Sequence, residues 1–278
     1  MLNVRACSRR LLAVAASALF ALASVAPAAA AEPIPNSLDA LGDSITRGFN
    51  ACGFFFDCTA RSWSTGTYSP VNSHYLRILA KNPAINGKNF NDAQTGTKMV
   101  DLAAQAQTAV TRNVDYATVL MGANDACTAT VGAMTAAATF QSQFKQALDT
   151  LTAANTSARR VFVSSIPDAY RLWQIGHTSS SAVRTWNAYQ ICQSMLANPT
   201  STSATDEARR QQVRNQIVAY NQVLANTCAQ YTHCKFDGNA VFNYQFTLSQ
   251  VSTWDYFHPN TTGQTVLAQV TYAAGFGW

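Results

Sequence analysis

Short apolar runs alternate with longer amphipathic stretches along most of this chain, and this alternation restricts the fold more than any other feature. Strand candidates are Leu38–Leu41, Lys88–Ala93, Tyr116–Met121, Arg160–Ser165 and Cys234–Phe236. Apolar residues at helical spacing predict helices over residues 70–80, 98–110, 140–151, 206–229 and 262–274. Strands separated by helices predict an α/β fold, with a mostly parallel sheet of about five strands and helices on both faces.

The first 31 residues have the composition of a secretory leader. Three arginines precede an uncharged apolar run over residues 11–25, and Ala29–Ala31 form a small-x-small cleavage signature. The run is short for a membrane span. The sequence therefore predicts a cleaved signal peptide over 1–31 and a secreted, extracellular domain over 32–278. The export route stays open between the general and the twin-arginine pathways.

The composition of residues 32–278 limits the classes of partner that are expected. Without the leader, which carries three arginines and no acidic residue, the formal net charge falls from +5 to +2. No cluster of Lys and Arg interleaved with aromatic residues stands out, so nucleic acid is not expected as a partner. Residues 32–278 suit a single domain, since single cores stop growing only at roughly 250–300 residues. We expect one catalytic domain that works as a monomer.

Six cysteines remain after Cys7 leaves with the leader. An even number of cysteines in an exported chain predicts disulfides, and six allow 15 pairings. Two pairs lie close in sequence, Cys52–Cys58 and Cys228–Cys234, which leaves Cys127–Cys192 as a long bridge. No Cys-x-x-Cys or His-rich spacing favours a metal site, so no metal is expected.

The residues that follow the strand candidates bear on function, because ligands of parallel sheets bind beyond the carboxyl ends of the strands. Ser44 follows the first strand, in Gly42-Asp43-Ser44. A serine hydroxyl becomes a nucleophile when a base takes its proton, and a carboxylate usually orients that base. Near the C-terminus, Asp255 and His258 are close enough in sequence to meet within one turn. Each segment alone is also typical of an ordinary turn, with Ser44 as a helix cap.

Two further residues could stabilise the oxyanion that forms when an ester carbonyl is attacked. Asn124, in Gly122-Ala123-Asn124-Asp125 after the third strand, offers a side-chain amide. The backbone N–H groups of Ser44 and Gly96 offer two more donors, and Gly96 lets the backbone approach without a Cβ. An Asn-Asp pair after a strand is also common turn chemistry.

Together these segments resemble the SGNH (GDSL) hydrolase family, from Leu38 to Pro259. The resemblance rests on four blocks in the family's order: GDSIT at 42–46, the glycine Gly96, GAND at 122–125 and DYFHP at 255–259. It implies a three-layer α/β/α, flavodoxin-like fold. It also implies Ser44 as nucleophile, His258 as base, Asp255 as its partner, and Ser44, Gly96 and Asn124 as oxyanion donors.

Aromatic residues surround the predicted site in sequence. Phe54 and Phe55 lie in the small Cys52–Cys58 loop, and Trp173 and Trp186 lie in the segment after the fourth strand. We expect these four side chains to line the substrate site. The phenylalanines are equally compatible with transient contact with a lipid surface, or with filling the core.

The sequence predicts hydrolysis of carboxylic esters, with acyl esters of lipids or phospholipids as substrates. Similarity to secreted bacterial SGNH lipases and phospholipases favours lipids. No calcium-loop pattern is visible, so the mechanism is expected to need no cofactor. Two alternatives stay open: an acetyl esterase acting on polysaccharide, and a lipid- or glycan-binding protein that keeps the fold without turnover.

Overall fold

The computed structural model describes residues 1–2, 32–53, 55–153 and 159–278. Apart from Met1 and Leu2, the predicted leader lies outside the described residues. Five parallel strands pair in the order β2-β1-β3-β4-β5. They are β1 (Leu38–Gly42), β2 (Asn89–Asn91), β3 (Tyr116–Leu120), β4 (Arg160–Val163) and β5 (Cys234–Phe236). The sheet therefore has the strands and the parallel direction that the sequence predicts.

Helices connect the strands and follow the last one. They are α1 (His74–Leu79), α2 (Leu102–Thr111), α3 (Ala123–Ala126), α4 (Ala137–Ala153), α5 (Ala169–Gly176), α6 (Ser180–Ala188), α7 (Gln193–Leu196), α8 (Ala204–Cys228), α9 (Ala240–Asn243) and α10 (Thr261–Ala273). Short 3₁₀ turns lie at Thr59–Arg61, Ser69–Val71, Pro83–Ile85, Met99–Asp101, Val131–Ala133 and Leu248–Gln250.

The first predicted helix, 70–80, is shorter in the structure and begins at His74. Asn72 adopts a left-handed conformation with φ of 48°, which ends the 3₁₀ turn before it. The Ser73 hydroxyl then accepts a hydrogen bond from the Leu76 N–H and caps the new helix. The apolar spacing is continuous over residues 70–80, but Asn72 and Ser73 divide this stretch into a 3₁₀ turn and a helix.

Neighbouring residues of the central strand β3 face opposite sides of the sheet and enter two different cores. Val119 shares a core with Phe144 of α4 and Ile217 of α8. Leu120 shares the other core with Leu267 of α10. Because helices cover both faces, the strands are apolar on both sides. This three-layer α/β/α arrangement confirms the predicted fold class.

The three predicted disulfides, Cys52–Cys58, Cys127–Cys192 and Cys228–Cys234, are all present. The long bridge ties the end of α3 to the start of α7. Ser194 reinforces it, since its hydroxyl donates to the Ala126 carbonyl at 2.7 Å and its N–H to the Thr128 carbonyl at 2.8 Å. The segment after β3 is therefore anchored to the segment after β4.

Residues 32–278 form one unit by their internal contacts. Within the described part of the chain, no helix is both long and apolar enough to cross a bilayer.

The long disulfide should stabilise the fold more than a short one. Its cysteines are separated by 65 positions and those of Cys228–Cys234 by 6. In the chain-entropy model, replacing both cysteines by serine costs about 4 kcal/mol for the long bridge and about 2 kcal/mol for the short one. Urea denaturation of the two double variants and the parent protein measures these losses. Equal losses would show that loop closure is not the main contribution of the long bridge.

Candidate active site

Three side chains from two distant segments form a continuous hydrogen-bonded chain at the carboxyl edge of the sheet. The Oγ of Ser44, two residues after β1, lies 2.7 Å from Nε2 of His258. Nδ1 of His258 lies 2.5 Å from Oδ2 of Asp255. The Asp255 carboxylate fixes a proton on Nδ1, so Nε2 is the nitrogen that accepts from the serine hydroxyl. The structure brings together the three residues that the sequence singled out.

A tight turn before α10 presents both His258 and Asp255. Oδ1 of Asp255 accepts hydrogen bonds from the N–H groups of Phe257, at 2.9 Å, and His258, at 3.1 Å. Tyr256 adopts a left-handed φ of 53°, and the His258 carbonyl accepts from the Ser252 N–H. Because the Asp255 carboxylate accepts hydrogen bonds from its own turn, its orientation is fixed independently of its contact with the imidazole.

The Asp255 carboxylate is held in its ionised form. Burial acts to raise its pKa, but the hydrogen bond and charge of His258, together with the N–H groups of Phe257 and His258, lower the pKa below its ordinary value. An ionised carboxylate can stabilise the imidazolium that forms when the serine proton moves.

Gly42, the last residue of β1, sets the path of the chain into Ser44. Its φ is +150°, and a Cβ at this position would lie 2.3 Å from the Leu120 carbonyl oxygen. Glycine is therefore required where β1 and β3 approach so closely. Gln105 of α2 clamps the same residue, since Nε2 donates to the Gly42 carbonyl at 3.0 Å and Oε1 accepts from the Gly42 N–H at 2.8 Å.

The loop at residues 94–97 is hydrogen-bonded to the same Gly42 carbonyl. The Gln94 N–H donates to the Gly42 oxygen at 3.1 Å, and the Thr97 hydroxyl, which lies 3.1 Å from the same oxygen, donates to the Gln94 carbonyl at 2.7 Å. Nδ2 of Asn124 donates in turn to the Thr97 carbonyl at 2.9 Å. Since a side-chain amide carries two N–H donors, one of them stays available on Asn124.

The backbone groups predicted as oxyanion donors are also available. Gly96 has a left-handed φ of +85° and lies exposed on the loop at 94–97. Among the described residues, no hydrogen bond uses the N–H of Gly96 or of Ser44. The sequence predicted Gly96 as an oxyanion donor on the basis of one glycine alone. The structure places Gly96 on the loop that is hydrogen-bonded to both Gly42 and Asn124.

Two other buried carboxyl groups lie near Ser44 in the chain or at the site, Asp43 and Asp125. Oδ1 of Asp43 accepts from the Ile45 N–H at 2.9 Å, while Oδ2 has no partner among the described residues. Burial raises the pKa of Asp43 to about 7, against smaller lowering effects of the Ile45 N–H and the charge of His258. Burial also raises the pKa of Asp125, although the Thr135 hydroxyl and the Met99 N–H partly oppose it. The pKa of Asp43 is thus shifted upward and that of Asp255 downward.

An apolar groove lies against the sequence neighbours of Ser44, Asn124 and His258. Ile45 follows Ser44, Ala123 precedes Asn124, and Phe257 and Pro259 flank His258. The opposite wall includes Ile166, Pro167, Ala169, Leu172, Ile175 and Phe246. The groove therefore presents an apolar surface beside the hydrogen-bonded chain of Ser44, His258 and Asp255.

The two tryptophans expected to line the substrate site lie elsewhere. Trp186 is fully buried and its Nε1 donates to the Tyr256 carbonyl at 2.9 Å. Trp173 is only 7% exposed, and neither ring lines the groove. On α5, residues three apart share a face, so Leu172 and Ile175 face the groove while Trp173 packs into the core. The predicted segment does form the wall, but through its aliphatic residues.

Of the two phenylalanines expected to line the site, the structure describes Phe55. Phe54 lies outside the described residues. Phe55 is 42% exposed, with its ring centroid 5.6 Å from that of Tyr189 and 6.3 Å from that of Trp254. It belongs to a surface cluster and not to the groove.

Gln105 and Asn50 contact the site, and sequence reasoning missed both. Gln105 sits on α2 and clamps Gly42, and Nδ2 of Asn50 donates to Asp255 at 2.7 Å. A buried polar residue on an otherwise apolar helix face was the available signal for Gln105. Nothing in the sequence pairs Asn50 with a residue 205 positions away.

A serine hydroxyl on an imidazole, with a carboxylate on the other ring nitrogen, is the arrangement that serine hydrolases use. Here it lies at the carboxyl edge of a parallel sheet, where α/β enzymes bind their ligands. Within the described ranges, no group of three or more His, Cys, Asp or Glu side chains is placed to hold a metal ion.

The chain belongs to the GDSL-like lipase/acylhydrolase family, whose sequence profile matches residues 39–270. This match confirms the resemblance inferred from the four short blocks and places the protein among ester hydrolases. A comparison with functionally curated proteins gives no significant match.

Solved structures share the fold at low sequence identity. An α/β hydrolase from the metagenome of Lake Arreo, Spain, is 19% identical, with a TM-score of 0.52 over 87% of this chain and 94% of its own. An extracellular lipase from Streptomyces rimosus is 18% identical, with a TM-score of 0.49 over 86% and 99%. An acetyl xylan esterase from Geobacillus stearothermophilus is 13% identical, with a TM-score of 0.49 over 86% and 93%. The likeness to the first of these agrees with the α/β fold.

The raised pKa of Asp43 predicts a pH-dependent stability. The unfolded chain ionises this carboxyl near 3.8 and the folded protein near 7, so its ionisation destabilises the fold as pH rises through that window. Asn at this position keeps an acceptor for the Ile45 N–H and does not titrate. The free energy of unfolding of Asp43→Asn, minus that of the parent, should rise by on the order of 2–3 kcal/mol between pH 5 and 8.

Urea denaturation across this pH range measures the difference. Asp149→Asn is the matched control, because Asp149 is a surface carboxylate whose pKa the Lys145 hydrogen bond lowers, so no such rise is expected. A flat difference for Asp43→Asn would mean that the carboxyl ionises in the folded protein as it does on a surface.

Proposed function

We propose that this protein is a secreted carboxylic ester hydrolase that cleaves acyl esters of lipids through an acyl-enzyme on Ser44. One observation carries the proposal: the hydrogen-bonded chain Ser44–His258–Asp255 lies next to an apolar groove. The hydrogen-bonded chain supplies an activated nucleophile, and the groove suits the acyl half of the ester.

In the proposed reaction, Ser44 Oγ attacks the ester carbonyl while Nε2 of His258 takes its proton. The negative charge that develops on the carbonyl oxygen is stabilised by the N–H groups of Ser44 and Gly96 and by the free N–H of Asn124. His258 then gives its proton to the departing alcohol. Water, deprotonated by the same imidazole, attacks the acyl group, and His258 returns this proton to Ser44 Oγ as the acid is released. Asp255 stays ionised throughout and holds the imidazole in place.

A lipid substrate is supported by what surrounds the reactive serine. The groove walls are mainly aliphatic and aromatic, and burying each methylene of an acyl chain is worth about 0.8 kcal/mol. Four aromatic side chains, Phe55, Phe56, Tyr189 and Trp254, are between 42% and 61% exposed. We call this set the aromatic rim, and we propose that it makes transient contact with a lipid surface. Trp254 directly precedes Asp255 in the chain, so the rim adjoins the catalytic turn.

Secretion is supported by the leader-like composition of residues 1–31 and by three disulfides, since such bonds persist in oxidising compartments.

A second candidate function is an acetyl esterase acting on a polysaccharide. A polar cleft lined by Arg47, Asp57, Asn91, Gln94 and Thr95 adjoins the loop that carries Gly96. Such a cleft suits a polar alcohol rich in hydroxyl groups, in which case the acyl half would be small. The two candidates differ in the acyl length that they predict.

The serine and the oxyanion donor are tested by substitution. Ser44→Ala should lower kcat on p-nitrophenyl butyrate by roughly 10⁴-fold or more, because the nucleophile is removed. Asn124→Ala should lower kcat by about 10²–10³-fold, through loss of one oxyanion donor. Ser142→Ala, at an exposed serine of α4, is the matched control and should retain the parent activity. Residual turnover in Ser44→Ala equal to that of the parent would defeat the proposed function.

Acyl length is tested with a series of p-nitrophenyl esters and one groove-filling variant. For a lipid hydrolase, kcat/KM should increase by about fourfold per added methylene from acetyl to octanoyl, the ratio that corresponds to burial of one CH₂. Ala169→Phe places a ring in the groove and should lower kcat/KM for octanoate by about tenfold, with acetate changed by less than about twofold. Ala104→Phe, on the exposed face of α2, controls for added bulk. A maximum at acetate in the parent protein would favour the acetyl esterase instead.

A further inference from the structure

Asn50 extends the hydrogen-bonded chain of the site by one member. Its Nδ2 donates to Oδ2 of Asp255 at 2.7 Å, and the same oxygen lies 2.5 Å from Nδ1 of His258. Asn50 is only 1% exposed and comes from the loop that follows the nucleophile. One residue near the start of the domain therefore binds the carboxylate near its end.

The backbone of Asn50 is fixed on both sides of that contact. Asn50 adopts a left-handed φ of 61°, its N–H donates to the Phe56 carbonyl, and its carbonyl accepts from the Gly53 N–H. The Cys52–Cys58 disulfide closes the same loop. The Ser252 hydroxyl also reaches the Asn50 carbonyl, at 3.4 Å. The backbone that carries the Asn50 amide is therefore constrained where the amide contacts Asp255.

The amide can face Asp255 in only one orientation. If its oxygen and nitrogen were exchanged, Oδ1 would meet the ionised carboxylate and repel it. In the observed orientation, Oδ1 is buried and accepts no hydrogen bond from any described residue. Such an unpartnered buried acceptor is costly. Asn50 therefore leaves its own acceptor unsatisfied in order to donate to Asp255.

We propose that Asn50 is a positioning residue for the reaction: its amide keeps Oδ2 of Asp255 facing His258 and shares the negative charge of that oxygen. This inference rests on the proposed function, since it assigns to Asn50 an effect exerted through the triad. Each Asp255 oxygen then accepts two hydrogen bonds, Oδ1 from backbone N–H groups and Oδ2 from His258 and Asn50. The carboxylate cannot rotate without losing one of them.

Removing the Asn50 amide has two consequences. The carboxylate loses the contact that fixes Oδ2, so the imidazole is less well oriented toward the serine. More negative charge also remains on Oδ2, which favours the imidazolium. Asp43, the other carboxyl whose charge interacts with His258, is unchanged by the substitution. The acid limb of the pH profile should therefore move to higher pH.

The first test is Asn50→Gly, because glycine adopts a left-handed φ without strain. On p-nitrophenyl butyrate, kcat should fall by about 10–100-fold with KM within about twofold of the parent, since the loss acts on the transition state. The acid limb of the kcat/KM profile should move up by about half a pH unit or more. Asn113→Gly is the matched control, an exposed asparagine with a left-handed φ of 51° far along the chain from the site, and should leave kcat and the profile unchanged.

Asn50→Asp is the second variant, because Asp keeps the size of Asn and its tolerance for left-handed backbone. It replaces the donor with a charged acceptor, so at pH 8 kcat should fall at least as far as in Asn50→Gly. Thermal unfolding of both variants reports whether the fold is retained. Parent-like kcat and acid limbs in both variants would overturn the inference. A lower kcat with an unmoved acid limb and a lower Tm would overturn it too, because that pattern marks a purely structural residue.

The two proposals fail in different ways. If the proposed function is wrong, the parent protein and Ser44→Ala have the same activity, whatever Asn50 does. If only the present inference is wrong, the parent hydrolyses the ester and Ser44→Ala does not, while the Asn50 variants keep the parent kcat and pH profile.

Discussion

The carbonyl oxygen of Gly42 is the point on which the geometry of the site depends. It accepts hydrogen bonds from the Gln94 N–H and the Gln105 side chain. Ser44 lies two residues later in the chain, while the loop at 94–97 and helix α2 are bound to the same atom. Relative movement of Ser44 and the proposed oxyanion donors is restricted for this reason. Such preorganisation is what electrostatic stabilisation of an oxyanion requires.

The other half of the site comes from the opposite end of the domain. His258 and Asp255 occupy a turn that is closed by the Asp255 carboxylate itself, and Asn50 and Ser44 bind this turn from the loop after β1. Hydrogen bonds from Asn50, Ser44 and Ser252 thus join segments that are more than 200 positions apart in the chain. The N–H of Asn50 donates to the Phe56 carbonyl inside the Cys52–Cys58 disulfide loop, so this loop supports the segment that contacts Asp255.

Environment shifts the pKa values of two buried carboxyl groups of the site in opposite directions. The hydrogen bond and charge of His258 and the backbone N–H groups outweigh the burial of Asp255 and lower its pKa, whereas Asp43 has too few donors to offset burial and its pKa is raised to about 7. Of the two, Asp255 is the one that hydrogen-bonds to His258. The same residue type therefore has a lowered or a raised pKa according to the hydrogen bonds that it accepts.

The sequence by itself determined the sheet, the disulfide pairs and which residues were expected to meet at the site. Apolar runs and helical spacing are local, cysteine proximity is local, and the blocks around Ser44, Asn124 and His258 each carry their chemistry within a few residues. What only the tertiary structure decided was the direction of individual side chains. Trp173 and Trp186 entered the core while Leu172 and Ile175 lined the groove, because helix phase relative to the sheet sets which face is inward. Asn50 and Gln105 gained their roles from partners that only folding brings near, and no local pattern encodes such a contact.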